Sequence, residues 1–347
     1  MSSQIQSLVA RQNDIANGTI EALPVPRFDR YCICNLRGGI GKTSLAFNLA
    51  FLTDNLLVVD SCPQGNLSYF FDNQYFQRQS PSLYGMLLPY FVAGLGKASR
   101  VAQNISATNM NFSGKNSFFV PSSNDLYMLP YQMANAIAGI RSTMSGGQLN
   151  TILDNMLYSL KTEIYREQSE TGTTRCLIDT SPFFSGATHL AWHASDALII
   201  PVRTDQQSIN SLELVLSTLS DPASEFKKTQ TSDNHTPKIQ MIVLTHCGWS
   251  TRAGARNEPN QQTKVFLEKV RDVVSRSITH FTTNDPDNHI VLLDDFLGTG
   301  RISSAQSKPI ELLNAGDSMT INRVRTEVNS SVEKIKSQLN FISNTLW

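Results

Sequence analysis

The sequence predicts an α/β protein with a doubly wound, mostly parallel β-sheet flanked by helices. A first observation is a series of short apolar runs that are continuous rather than alternating, as expected for parallel strands covered on both faces. A second is that helical patterns lie between most of these runs. A third is a glycine-rich loop directly after the first run. The predicted strands are Tyr31 to Cys34, Leu56 to Val59, Phe118 to Val120, Cys176 to Ile178, Ala197 to Pro201, Gln240 to Leu244 and Ile290 to Leu293.

Composition is typical of a soluble globular protein. The 347 residues can bury a substantial core. Lys+Arg and Asp+Glu are both 29, so binding to nucleic acid or to an acidic membrane would need a local patch of charge. Five cysteines, an odd number, fit a reducing compartment. No apolar run is long enough for a transmembrane segment and no secretion signal is recognisable, so we expect a cytoplasmic protein.

The chain divides into two parts by composition. Residues 1–27 form a polar N-terminal extension, in which Ile5, Leu8, Val9 and Ile15 predict a short packing helix. Residues 28–347 are predicted to form the α/β domain. Within it, a helix is predicted over 82–90, and the weak pattern near 89–116 suggests a surface insertion.

The C-terminal residues predict one helix with a single apolar stripe. Packing of that stripe on the sheet is one interpretation. A helix lying on a membrane is the alternative, favoured by nearby basic residues and the terminal Trp347, and opposed by Glu327 and Glu333. The stripe consists of Val324, Val328, Val332, Ile335, Leu339, Ile342 and Leu346, and the basic residues are Arg323, Arg325, Lys334 and Lys336.

The glycine-rich loop is predicted to bind phosphate. Glycines let backbone N–H groups turn toward phosphate oxygens, and the following helix N-terminus adds a partial positive charge. Lys42 supplies a full positive charge, and Thr43 is placed to ligate Mg²⁺. Leu36 stands where the usual pattern has glycine, so the loop is a variant. The predicted nucleotide-binding residues are Gly38, Gly39, Ile40, Gly41, Lys42, Thr43 and Ser44.

Two carboxylates follow other predicted strands. Asp60 ends the second strand, and Asp179 ends the strand that begins at Cys176. Because the carboxyl ends of parallel strands meet at one edge of a sheet, we expect both beside the phosphate loop. Asp179 is predicted to contribute to the Mg²⁺ site together with Thr43.

With these motifs the chain resembles the ParA/MinD family of deviant Walker ATPases, and within it the ParA-type partition proteins. The resemblance covers roughly residues 28 to 345 and also rests on VVDSCPQGN, FFVPSSNDLYML, LIDTSPFFSGATHLAWHASDALIIPV and RISSAQSKPI. It implies a P-loop NTPase fold, ATP and Mg²⁺ as cofactors, and an ATP-dependent homodimer that hydrolyses ATP to ADP and phosphate. We expect hydrolysis to be slow because the chain departs from the family pattern at Cys62.

The resemblance also implies roles for individual residues. Arg37 occupies the position from which the family's lysine reaches the partner's nucleotide. Four residues match the family's phosphate, magnesium and switch positions, namely Lys42, Thr43, Asp60 and Asp179, and Asn48 also matches. The catalytic candidates are Arg37, Lys42, Asp60 and Asp179. Cys62 stands where the family has an aspartate that is linked to hydrolysis.

The resemblance further implies nonspecific DNA binding, with Arg252 and Arg301 near the family's DNA-binding arginines. A ParB-like adaptor and a nucleoid-associated location follow from the same resemblance. The leading hypothesis is thus a switch that positions or segregates a plasmid, a chromosome region or a large assembly. Two alternatives stay open, namely a slow or non-hydrolysing ATP-dependent scaffold or clamp, and a MinD-like membrane-associated ATPase. A GTPase is disfavoured because the strand ending at Leu244 continues with Thr-His-Cys-Gly and not with the Asn-Lys-x-Asp sequence that recognises guanine. A metabolic kinase is disfavoured because this chain has no recognisable acceptor-site motif.

Overall fold

An eight-stranded sheet forms the centre of the molecule in the computed structural model, which describes residues 3–77, 81–96, 100–184, 186–231, 236–252, 255 and 257–347. Its strands are β1 (Arg30–Ile33), β2 (Leu56–Asp60), β3 (Gln103–Asn104), β4 (Ser117–Val120), β5 (Arg175–Asp179), β6 (Ala197–Arg203), β7 (Lys238–Cys247) and β8 (Ile290–Asp294). Their order is β3-β4-β2-β5-β1-β6-β7-β8. All pairings are parallel except that of β3 with β4. The predicted fold class and all of the predicted strands are confirmed; β3 was not predicted.

Helices cover both faces of this sheet. Neighbouring residues of one strand point into different cores, as Cys32 joins one apolar cluster while Tyr31 and Ile33 join the other. The helices are α1 (Gln6–Ala16), α2 (Lys42–Leu52), α3 (Asn66–Phe71), α4 (Leu83–Leu87), α5 (Leu129–Thr143), α6 (Gly146–Leu157), α7 (Ser159–Thr171), α8 (Gly186–Ala194), α9 (Gln206–Ser220), α10 (Glu225–Thr229), α11 (Gln261–Arg276), α12 (Leu297–Gln306) and α13 (Val332–Leu346). Three consecutive helices, α5, α6 and α7, lie between β4 and β5.

The N-terminal extension contains the predicted packing helix, α1. Ile5, Leu8, Val9 and Ile15 are buried in the core. Arg11 on this helix donates hydrogen bonds to the backbone oxygens of Asp287 at 2.9 Å and Ile290 at 2.6 Å. The division of the chain at residue 27 stays a prediction.

Residues 100–116 contribute side chains to the core. Val101, Ile105 and Phe112 are buried, and the Phe112 ring lies 5.8 Å from Phe47 and 5.6 Å from Phe71, measured between centroids. The description of the region near 89–116 as an insertion stays a prediction.

The C-terminal helix is shorter than predicted. Val324 does not begin it, because this residue lies in a hairpin of β9 (Ser318–Ile321) and β10 (Val324–Glu327). The turn of the hairpin is made by Asn322 and Arg323, both with positive φ, and neither is the glycine that would have indicated a turn.

Helix α13 packs its apolar stripe inside the protein. Ile335, Leu339 and Ile342 are buried in the second core cluster, so this face is not available to a membrane surface. Among the described helices, none has the length and apolar character that crossing a bilayer requires.

A buried histidine between α8 and α10 makes stability depend on pH. His189 is packed among aromatic rings, with Phe184 at 5.0 Å, His193 at 5.1 Å and Phe226 at 5.7 Å between centroids. Its Nε2 lies 3.0 Å from the Thr229 hydroxyl. Burial lowers the pKa of His189 to about 4, and none of the described residues supplies a charge that compensates an imidazolium there.

We therefore expect His189 to weaken the fold in mild acid. The unfolded chain binds a proton below a pKa of about 6.5, whereas the folded chain does so only near pH 4, so stability falls as the pH falls through this window. At about pH 5 the loss is on the order of 2 kcal/mol. Urea unfolding at about pH 7.5 and pH 5 measures it, and His189→Gln should reduce the difference. Equal pH dependence in both proteins would contradict the prediction.

Candidate nucleotide-binding site

The glycine-rich loop joins the end of β1 to the start of α2. Gly39 and Gly41 have φ values of +70° and +90°, a region that favours glycine, and Gly41 caps α2. The loop, called the phosphate loop below after its predicted ligand, lines a cavity of about 220 Å³, which we call the phosphate cavity. This places loop backbone groups and a helix N-terminus at one small cavity, which is the arrangement that binds phosphate. The cavity is lined by Gly38, Gly39, Ile40, Gly41, Lys42, Thr43, Ser44, Cys62, Gln64, Asn66, Thr180 and Pro182.

Lys42 is the first residue of α2, directly after this loop, and is largely buried. Its Nζ donates hydrogen bonds to the backbone oxygens of Asn35 at 3.1 Å and Arg37 at 2.7 Å. Burial lowers the pKa of Lys42, and the Asp179 carboxylate opposes that effect. These carbonyl groups therefore hold the ammonium at the cavity. The ammonium can leave them to form stronger, charge-assisted hydrogen bonds with an anionic ligand.

Thr43 and Asp179 are in direct contact. The Thr43 hydroxyl donates to Asp179 Oδ2 at 2.8 Å, and Asp179 is fully buried. Asp179 Oδ1 is buried with no hydrogen-bond partner among the described residues. A hydroxyl beside a carboxylate with an unused oxygen fits a hard cation such as Mg²⁺. Burial and the neighbouring Asp60 raise the pKa of Asp179 to about 7, and a bound cation would favour its ionised form.

Asp60 lies beside Asp179, since the two residues pair in register at the ends of β2 and β5. Its carboxylate accepts from Ser68 N and Ser68 Oγ, each at 2.8 Å, and from Cys62 N at 3.1 Å. Burial raises the pKa of Asp60 to about 6, although these hydrogen bonds oppose the shift. Asp60 thus fixes the loop between β2 and α3 at the edge of the phosphate cavity.

Arg37 points to the start of α9 rather than into the phosphate cavity. It forms an ion pair with Asp205, and it donates to Ser208 Oγ at 2.6 Å and to Gln207 Oε1 at 3.1 Å. Asp205 also caps α9 by accepting from Ser208 N at 2.9 Å. Desolvation raises the pKa of Asp205, but the hydrogen bonds from Arg37 and Ser208 lower it overall. The guanidinium is therefore held within its own chain.

Cys62 lines the phosphate cavity as a neutral thiol. Burial and the nearby Asp60 raise its pKa to about 11, so it is not a thiolate at neutral pH. A neutral thiol is a weak hydrogen-bond acceptor.

The remaining predicted residues lie outside the phosphate cavity. Asn48 accepts from Ile310 N at 2.8 Å and donates to Ser44 O at 2.8 Å, which ties α2 to the chain after α12. Arg252 is exposed in the loop after β7. Arg301 is exposed on α12 and borders a second, larger cavity.

The sequence interpretation missed the partner of Arg37. Asp205 follows β6 at the same edge of the sheet as Asp60 and Asp179, so a strand-end carboxylate was visible there too. It also missed the β9–β10 hairpin, for which no glycine gave a signal.

Comparison with known proteins gives the family. The family model described as AAA domain, AAA_31, matches residues 30–231, which include the phosphate loop, Asp60 and Asp179. The chain belongs to this AAA domain family. It also has the ParA/MinD-type P-loop fold that its motifs predicted.

Solved structures resemble this AAA domain protein in fold. A complex of a Cyanothece McdA variant with ATP has a TM-score of 0.54 and 18% identity, over 82% of this chain and 90% of McdA. A putative plasmid partition protein from Borrelia burgdorferi B31, bound to AMPPNP, has a TM-score of 0.52 and 16% identity, over 92% of this chain and 98% of its own.

One curated relative is similar in sequence. The uncharacterized protein MJECL24 of Methanocaldococcus jannaschii is 26% identical over 258 residues, which are 71% of this chain and 84% of the relative.

Proposed function

We propose that this AAA domain protein is an ATP-dependent switch that dimerises with ATP, hydrolyses it slowly to ADP and phosphate, and positions or segregates a cargo. The observation that carries the proposal is the contact between Thr43 and Asp179 beside Lys42, at the N-terminus of α2. A phosphate loop and a candidate metal-binding carboxylate meet there. ATP or AMPPNP bound to proteins of the same fold supports the choice of nucleotide.

The residues of the site divide the work between phosphate and metal. Backbone N–H groups from Gly38 to Ser44 and the Lys42 ammonium would bind the outer phosphates. Thr43 and Asp179 would hold Mg²⁺, which when bound neutralises charge on the phosphates. Asp60 positions the loop between β2 and α3, which borders the cavity, through its bonds to Ser68 and Cys62.

Arg37 would act across the dimer only after leaving Asp205. In the single chain its guanidinium is engaged by Asp205, Gln207 and Ser208. In the dimer, Arg37 would give up these bonds and form charge-assisted hydrogen bonds to the phosphates of the nucleotide bound by the partner. The Arg37–Asp205 pair would then oppose dimerisation until nucleotide is bound.

The function is tested by molar mass in solution. We expect a monomer with Mg-ADP and a dimer with Mg-ATP or Mg-AMPPNP, measured by size-exclusion light scattering. Asp205→Asn keeps the cap of α9 but removes the charge that holds Arg37, so the dimer should tighten by up to roughly fivefold, as expected for a part-exposed ion pair. A nucleotide-independent mass would contradict the switch. An unchanged dimer affinity in Asp205→Asn would leave the switch but remove this restraint.

DNA binding is the proposed route to positioning, with a nucleoid-associated location and a ParB-like adaptor as partner. The exposed Arg252 supports it. We expect the ATP-bound form to bind duplex DNA of any sequence, with an affinity that falls steeply with salt because counterions are released. Arg252→Ala should weaken DNA binding and leave ATP affinity unchanged. Co-sedimentation with DNA and with anionic liposomes measures this, and binding to liposomes instead would favour the membrane alternative.

A further inference from the structure

A further cavity lies where β4 ends, and we call it the β4 cavity. Its volume is about 380 Å³, which falls within the range that is usual for small-molecule sites. It is lined by residues that follow β4, by Gln103 of β3, and by Tyr75 and Phe76 from the segment after α3. None of its described lining residues also lines the phosphate cavity. The β4 cavity is therefore a separate candidate site.

The charge of the β4 cavity favours a cation. Among the described residues that line it, Asp125 is the one charged residue. Asp125 Oδ2 accepts from Ser123 Oγ at 3.1 Å, and no described Lys or Arg forms an ion pair with this carboxylate. Ser82 and Asn124 add a hydroxyl and an amide to the lining. A cavity with hydrogen-bond acceptors and a negative charge suits a positively charged donor and repels anions.

Two aromatic rings also line the β4 cavity. The rings of Tyr75 and Phe76 lie 3.9 Å apart between centroids, and Phe76 is 54% exposed. The face of an aromatic ring attracts a cation that lies within about 6 Å of its centroid. A carboxylate and an exposed ring in one cavity are together suited to an organic ammonium ion.

Tyr75 connects the β4 cavity to the loop between β2 and α3. Its hydroxyl is buried, and among the described residues it has no hydrogen-bond partner. The hydroxyl occupies the space of a side chain at position 65, because a Cβ on Gly65 would lie 1.4 Å from the phenol oxygen. Buried polar groups are normally paired, so an unpaired hydroxyl on a residue that lines a cavity indicates a partner from outside the chain.

Ser122 makes a second connection between the β4 cavity and this loop. Its Oγ donates to Cys62 O at 2.5 Å, and its N donates to Ser68 Oγ at 3.0 Å. Ser68 Oγ in turn donates to Asp60 Oδ2 at 2.8 Å. A ligand that displaces Ser122 or Tyr75 would therefore also move the loop that carries Cys62 at the phosphate cavity.

We propose that the β4 cavity binds a small organic cation with a primary ammonium group, and that this ligand regulates nucleotide binding through the loop between β2 and α3. The ammonium donates to the Asp125 carboxylate and lies against the Phe76 ring. Binding of the cation needs no nucleotide, whereas the regulation rests on the proposed ATP switch. By linkage, the cation and the nucleotide change each other's affinity by the same factor.

The cation site is tested with cadaverine, an alkyl diamine, and with the pentanediol of equal chain length, which is uncharged. In calorimetric or NMR titrations without nucleotide, cadaverine should bind with a dissociation constant on the order of 1 mM or lower, and the diol should not bind. Asp125→Asn should weaken cadaverine binding by roughly three- to fivefold, as expected for an exposed carboxylate, and Phe76→Leu by about as much. Asp272→Asn is the matched control, since it removes the same charge from an exposed position on α11 and should not change the affinity.

The regulation is tested by repeating the cadaverine titration in the presence of saturating Mg-AMPPNP. We expect the affinity for cadaverine to differ by at least roughly fivefold from that of the nucleotide-free protein. Ser122→Ala should reduce this difference, because it removes the hydrogen bond to Cys62 O.

Different results would overturn the two parts of the proposal. Absence of cadaverine binding, equal binding of the diol, or equal losses in Asp125→Asn and Asp272→Asn would remove the cation site. Binding of a lysine blocked at both backbone ends, but not of cadaverine, would assign the cavity to a lysine of a partner protein instead. If AMPPNP binds and the cadaverine affinity does not change, the regulation is wrong. If AMPPNP does not bind at all, the proposed function falls and the regulation falls with it, while the nucleotide-free titration still decides the cation site.

Discussion

Lys42→Ala is expected to weaken ATP binding by roughly 10- to 150-fold, the factor that corresponds to one charge-assisted phosphate contact of about 1.5 to 3 kcal/mol. Within the described part of the chain, the Lys42 Nζ at the phosphate cavity hydrogen-bonds to backbone oxygens and to no carboxylate, so no direct ion pair neutralises its charge there. Isothermal titration calorimetry with Mg-ATP measures the change.

Lys228→Ala serves as the matched control. It removes the same charge from an exposed position on α10 and should leave ATP affinity unchanged. Circular dichroism of both variants without nucleotide should match that of the unmodified chain. Equal ATP affinity in Lys42→Ala and the unmodified protein would remove the phosphate loop as the nucleotide site.

Cys62→Asp is expected to accelerate ATP hydrolysis by at least roughly tenfold, a factor below the roughly 10²- to 10⁴-fold that a positioned general acid or base typically contributes. The family resemblance places an aspartate linked to hydrolysis at this position, and the thiol found here stays neutral because burial and Asp60 raise its pKa to about 11. A neutral thiol orients an attacking water poorly. The unmodified chain should accordingly form a long-lived ATP dimer.

Asp60 is the alternative residue for orienting the water, and its contacts argue against it. Its carboxylate already accepts three hydrogen bonds, two from Ser68 and one from Cys62 N, which leaves about one of its four acceptor positions. Asp60 thus has little capacity left to orient water.

Single-turnover hydrolysis decides between the two residues. Cys62→Asn, of similar size to aspartate but uncharged, should show no acceleration. If Cys62→Asp hydrolyses ATP no faster than the unmodified chain, position 62 has no part in timing the switch, and the slow scaffold becomes the better description.

Much of the site could be predicted because its residues are local to strand ends. Gly39 and Gly41 allow the positive φ values of the loop, and this property of glycine does not depend on the rest of the chain. Asp60 and Asp179 are far apart in sequence, yet parallel strands of one sheet end at the same edge, so their meeting followed from the fold class.

Other features depend on contacts between distant parts of the chain. The hairpin turn is made by Asn322 and Arg323, both with positive φ, and contains no glycine. Because apolar residues keep helical spacing through this segment, its sequence predicted a helix although the segment is extended. The hairpin is held against α12 by contacts such as the hydrogen bond from Thr299 N to Asn329, which form only when these two segments come together in the folded chain.

The sequence by itself determined the sheet, the phosphate loop and the convergence of Lys42, Thr43, Asp60 and Asp179, because periodicity and strand-end position are local properties. Only the tertiary structure decided the ion pairing and protonation of two further residues, Arg37 and Cys62. That Arg37 is paired with Asp205, and that Cys62 is a neutral thiol, depends on which side chains and how little water surround each residue. Burial and long-range pairing arise only when the whole chain has folded.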